Sequence, residues 1–103
     1  MRLTIIPDDN YVSVNNDNSH QPLDLTPCNI PQEVHALQWF DVKGWIEFDD
    51  PIDPFAPKPP NQEITELPEW ALACVGVWEA WTPPPPPPKP DSEQPTSTGT
   101  QTL

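Results

Sequence analysis

An antiparallel β module, one tryptophan-rich helix and a proline-rich tail are the parts that this sequence predicts, and three observations predict them. Short β-branched and aromatic runs alternate with turn formers over residues 1–50. The stretch from Trp70 to Trp81 is apolar nearly all round and keeps helical spacing. Of the 18 prolines, 13 gather at 51–60 and beyond 82, where they forbid regular structure. The expected fold is therefore mainly β, a small antiparallel sandwich or meander, with a single C-terminal helix.

Leu3-Thr4-Ile5-Ile6 is the first strand, stopped by the turn formers Pro7-Asp8-Asp9-Asn10. Tyr11-Val12-Ser13-Val14 completes a hairpin with it. Asn15 to His20 is polar and reads as a second turn, and Leu23-Asp24-Leu25 as a short third strand alternating in and out. Pro27 and Pro31 then remove ladder donors and make a connector. Val34 to Phe40 and Trp45 to Phe48 carry the strongest β signal, joined by Asp41-Val42-Lys43-Gly44. Gly44 is expected to take the positive φ that closes this four-residue loop. Ile46 and Phe48 fall on one face of the last strand, Trp45 and Glu47 on the other.

The β domain is thus expected at 1–50 and a stiff Pro-rich linker at 51–60. A helical segment follows at 61–82, its helix running from about Pro68 to Trp81. Residues 83–103 are expected to form an extended tail that opens on six prolines, a polyproline II rod. Within the helix, Trp70, Cys74, Val77, Trp78 and Trp81 recur at three- and four-residue steps. Ala71, Leu72, Ala73, Val75 and Ala80 fill much of the remaining surface, so the helix requires burial on nearly all sides. A few short strands cover one side only. Another copy or another protein must cover the rest.

Composition limits the function. The chain of 103 residues carries 16 Asp plus Glu against 4 Lys plus Arg, a net charge of −12. Nucleic acids and anionic membrane surfaces demand the opposite sign. Met1-Arg2 leads directly into a strand-like run, so no signal peptide is expected, and no apolar run is long enough to span a bilayer. Cys28 and Cys74 are expected as free thiols, because secreted disulfide scaffolds are Cys-dense.

Catalytic and metal chemistry find little support. Cys28, Cys74, His20 and His35 match no zinc spacing. Asp49, Asp50 and Asp53 lack the glycine and glutamate of a calcium loop, and prolines interrupt them. There is no nucleophile elbow, phosphate loop or two-histidine helix motif. No enzyme, cofactor or metal is expected. The signal lies instead in five tryptophans, a residue type that dominates binding hot spots. Trp39, Trp45, Trp70, Val77, Trp78 and Trp81 are the candidate protein-binding residues, with Trp39, Trp45 and Trp78 equally able to fill a small core. The proline rod reads as a spacer or strap more readily than as a ligand for an SH3-type groove.

The line Val34-His35-Ala36-Leu37-Gln38-Trp39-Phe40 followed by Gly44-Trp45-Ile46-Glu47-Phe48 resembles a pattern in small tailed-bacteriophage proteins encoded beside tail-fibre genes. Asn61-Gln62-Glu63-Ile64 and Trp78-Glu79-Ala80 extend the resemblance to about residues 1–82. The proline linker and tail depart from it. The resemblance implies a tail-fibre assembly chaperone working without ATP on the distal part of a trimeric phage fibre, three copies to a fibre trimer. Its place would be the host bacterial cytoplasm during assembly. The alternative is a small structural protein of the virion tail, a fibre adaptor or cap. Fibre tips are β-rich and slow to assemble, so their exposed edges and apolar strips invite aggregation that a binding protein suppresses.

Overall fold

The computed structural model describes residues 1–86. The strands β1 (Arg2–Ile6), β2 (Tyr11–Val14), β3 (Val34–Phe40), β4 (Lys43–Phe48) and β5 (Gln62–Ile64) precede one helix, α1 (Glu69–Ala80). They form a single antiparallel sheet in the order β2-β1-β3-β4-β5.

The period of two sorts the side chains into two faces. One row across the sheet is Val14, Leu3, Trp39, Gly44 and Ile64, and the next is Val12, Ile5, Leu37, Ile46 and Gln62. These rows form the inner face, where Leu3, Ile5 and Leu37 are wholly buried. Between them runs Ser13, Thr4, Gln38, Trp45 and Glu63, which points the other way. The inner face is covered by α1 through Ala71 and Cys74, and by Leu23, Leu25 and Cys28 from the 15–31 segment.

Five elements thus form as an antiparallel sheet with one helix, but the connections differ from a meander. Leu23-Asp24-Leu25 is not a strand: both leucines are buried, and the Asp24 carboxylate accepts from the Thr26 amide at 3.0 Å. A 3-10 turn at Thr26–Cys28, with Pro27 inside it, follows at once. The alternation in that tripeptide reports loop packing and not a ladder, because the flanking prolines leave too few donors. The segment crosses the inner face so that β3 pairs with β1 and not with β2. The fifth strand comes instead from Gln62–Ile64, in the stretch expected to lead into the helix. It pairs with Gly44–Ile46 of β4, and Ile64 packs against the core. Among the described residues there is one sheet, so no second sheet closes a sandwich.

The turns are made by residues that tolerate the left-handed region. Asn10, Asn15, Asn16, Asn29 and Asp41 all have positive φ. Asn15 and Asn16 at φ 52° and 67° connect Val14 to Asp17, whose backbones exchange both hydrogen bonds, as in a type I′ turn. At the β3–β4 hairpin the loop is Asp41-Val42 alone, and the positive φ lies at Asp41, 57°, not at Gly44. Gly44 has a different duty. It faces Trp39 across the pair, and a Cβ there would sit 2.0 Å from the Gln38 carbonyl oxygen and 2.8 Å from Trp39 Cα. The glycine is required for close strand approach.

Pro68 serves as the helix N-cap residue, so α1 begins at Glu69, one position later than expected, and ends at Ala80, one short of Trp81. The helix is buried on one side only: Ala71 and Cys74 are covered, whereas Leu72 is 56% exposed. The sheet and loop supply no second wall. Cys28 and Cys74 are free and buried, and burial together with a hydrogen bond to Cys28 pushes the Cys74 thiol well above its ordinary pKa. Of the tail, residues 83–86 are exposed and irregular, and the expectation of a rod and tail over 87–103 lies outside the described residues.

Gly44→Ala is expected to lower stability by about 1–3 kcal/mol, because the methyl meets backbone atoms that cannot move aside. Urea denaturation followed by tryptophan fluorescence measures it, and an unchanged midpoint refutes this account of the hairpin.

Candidate functional site

The six candidate binding residues fall into three environments. Trp39 lies on the inner face at 6% exposure and is part of the core. Trp45 lies on the opposite, outer face. Trp70, Val77, Trp78 and Trp81 are all on or beside α1, half-buried, and pack against the edge of the core. The structure therefore brings together four of the six and separates the other two by the thickness of the sheet.

At the C-terminal end of α1 the indoles of Trp78 and Trp81 meet His20, a residue of the polar Asn15–His20 stretch. The His20 ring stacks on Trp78 with centroids 3.9 Å apart and on Trp81 at 4.8 Å. Its Nδ1 lies 2.8 Å from the Trp78 carbonyl oxygen. A carbonyl only accepts, so Nδ1 carries the proton and donates to a helix-end carbonyl that also accepts from the Trp81 amide at 3.3 Å. Trp78 Nε1 is buried without an acceptor among the described residues. The contact ties the 15–31 segment to the helix across 58 positions. No local pattern announces it, since His20 stands among polar neighbours and its partners are far along the chain.

That segment is held by carboxylates near its ends. Asp17 accepts from the Ser19 hydroxyl at 2.6 Å and from its amide at 2.9 Å, which holds its pKa below the ordinary value. Hydrogen bonds from the Thr26 side chain and backbone do the same for Asp24. At the β3–β4 turn, the terminal ammonium of Met1 donates to Asp41 and lowers its pKa.

The outer face carries a second aromatic group. Arg2 lies 4.0 Å from the centroid of Phe40, which stacks on Trp45 at 5.4 Å. Trp45 Nε1 donates to Glu47 at 2.8 Å. Arg2 also donates to Thr4 and to Gln38, each at 3.0 Å, and the Thr4 hydroxyl donates to Gln38 at 3.0 Å. These bonds fix the outer side of the β1–β3 seam. A partner meeting this face would find one flat apolar stack set among polar groups already satisfied.

Metal-binding donors come nearest to one another at Asp8, His35 and Asp49, within 4.8 Å. The register slips between Val34 and Ala36, so His35 sits in a β-bulge, and bulges re-aim side chains. Its Nδ1 donates to Asp49 at 3.2 Å. All three side chains are on the surface at the end of the sheet, and His35 with Asp49 is a hydrogen-bonded pair with Asp8 beside it. The other donors considered from sequence do not assemble: Cys28 and Cys74 are in the core, and His20 is against the indoles.

For Asp17 and Asp24 the folded pKa is lower than the ordinary 3.8, so their contribution is full above 3.8 and fades as pH falls through the folded values. Asp17→Ala with Asp24→Ala is therefore expected to be less stable than the wild type at neutral pH. The difference should vanish at low pH. Urea midpoints for both proteins across an acid titration measure it, and a difference that persists to the lowest pH would contradict the assignment.

Among the described residues no helix is long and apolar enough to cross a membrane. Comparison with protein-family models, with curated proteins and with solved structures finds no match.

Proposed function

We propose that this chain is a phage tail-fibre assembly chaperone that binds and shields the distal part of a trimeric fibre without ATP. The observation that carries the reading is the one-sided burial of α1. Leu72 is 56% exposed, and Val75, Val77, Trp78 and Trp81 keep accessible surface after the chain has folded. An apolar face of this kind suits contact with another protein. The net charge of −12 keeps such a protein soluble and directs it away from nucleic acid. The resemblance of residues 1–82 to proteins encoded beside fibre genes supplies the partner. Binding energy, and no chemical step, does the work, in the host cytoplasm during assembly. Three copies on a fibre trimer match its symmetry.

Co-expression with a candidate fibre is expected to raise the yield of soluble trimer. An unchanged yield, with the protein abundant in purified virions, would replace this reading by that of a tail or fibre structural protein.

Trp78 and Trp81 separate stability from binding. Trp81→Ala is expected to weaken fibre binding by about 2 kcal/mol or more while the folded domain persists. Trp78→Ala should in addition lower the melting temperature, because Trp78 holds His20 and packs on the core. Calorimetric binding beside thermal unfolding measures both. Full affinity in folded Trp81→Ala would remove the helix from the interface.

A further inference from the structure

The inner face of the sheet is covered unevenly. The helix packs against β2 and the Thr26–Cys28 turn, so the cover lies over the β2 side. On the β4–β5 side a cleft of about 500 Å³ opens instead. Its floor is Ile46, Phe48, Ile64, Leu67 and Trp70. Its rim is acidic, with Glu33, Glu66 and Glu69. No described basic residue lines it. Arg2 is engaged with Phe40 on the outer face, and Lys58 pairs with Asp50 at 3.5 Å.

The cleft continues. A second hollow of about 720 Å³ shares Glu33 and Phe48 with it and runs on to Ile52 and Pro59, with Asp49 and Asp50 beside it. The two together make a trough with an apolar floor. Among the described residues its unpaired rim carboxylates are Glu33, Glu66 and Glu69 of the first part, since Asp49 and Asp50 already meet His35 and Lys58. β5 pairs only with Gly44–Ile46, so Glu47 and Phe48 have no neighbouring strand on this side. Extended chains add to strand edges of this kind.

We propose that this trough binds an extended protein segment in which lysine or arginine alternates with aliphatic or aromatic residues. The apolar floor requires side chains to bury, and the rim requires positive charge beside them. The length of the trough exceeds what a small amine fills. A second copy of this chain, at −12, is repelled by the rim. The proposal deepens the partner-binding reading by giving the chemistry of the segment bound, and it rests on that reading only in requiring a protein ligand.

The test titrates the full chain with a labelled peptide of about ten residues alternating lysine and leucine, read by anisotropy and by amide chemical shifts. Saturable binding with shifts centred on Phe48, Ile64 and Trp70 is expected. Glu33→Gln, Glu66→Gln and Glu69→Gln together should raise the Kd about tenfold. Asp9→Asn, Glu63→Gln and Glu79→Gln, an equal change of charge on exposed residues outside the trough, should leave it within about twofold. Serine in place of leucine should also weaken binding about tenfold. Equal effects of the two triple variants, equal binding of the serine peptide, or no saturation would each overturn the proposal. These outcomes stand apart from fibre co-expression, which can succeed or fail whatever the peptide does.

Discussion

Among the described residues a single helix and a single loop have to cover the inner face of a five-stranded sheet, and this shortage of cover governs the fold. Leu3, Ile5 and Leu37, at the centre, are sealed completely. Away from them closure weakens, with Phe48, Ile64 and Trp70 half-buried on one side and Val77, Trp78 and Trp81 half-buried along the helix. A second helix would have removed both apolar margins. The net charge of −12 works against self-association through them.

The 15–31 segment is as much a core element as any strand. Leu23, Leu25 and Cys28 press down on the sheet, and His20 stacks at the end of the helix. It substitutes for the second layer that a sandwich would have provided. Its backbone is organised by side-chain acceptors at Asp17 and Asp24 and by left-handed asparagines, because it has no ladder to satisfy its amides.

Sequence reading succeeds where periodicity is local. Four strands and the helix follow from alternation and from three- and four-residue spacing, and the same alternation puts Trp45 and Ile46 on opposite faces, as found. It fails where an element is defined by its partner. Gln62–Ile64 becomes a strand because β4 offers an open edge, and Leu23-Asp24-Leu25 does not because its prolines bar a ladder. Its place beside a loop marks Gly44 as a turn residue, whereas the steric demand comes from Trp39 and Gln38 across the hairpin. Of the site, the aromatic character of α1 is legible. The stacking of His20 and the acidic trough are not, because they join residues distant in the chain.

The position of β1 has a consequence for the order of assembly. β1 with β2, and β3 with β4, are hairpins closed by tight turns, and hairpins of that kind form in about 1–10 μs. Neither buries its inner face alone. They join along the β1–β3 seam, where Thr4 meets Gln38 across 34 positions of chain, and only then can the segment between them fold down over the joint. Closing that loop sets the pace, as non-local pairing does in β proteins generally. This topology predicts that the two hairpins are the fast parts of the fold and the seam that joins them its slow step.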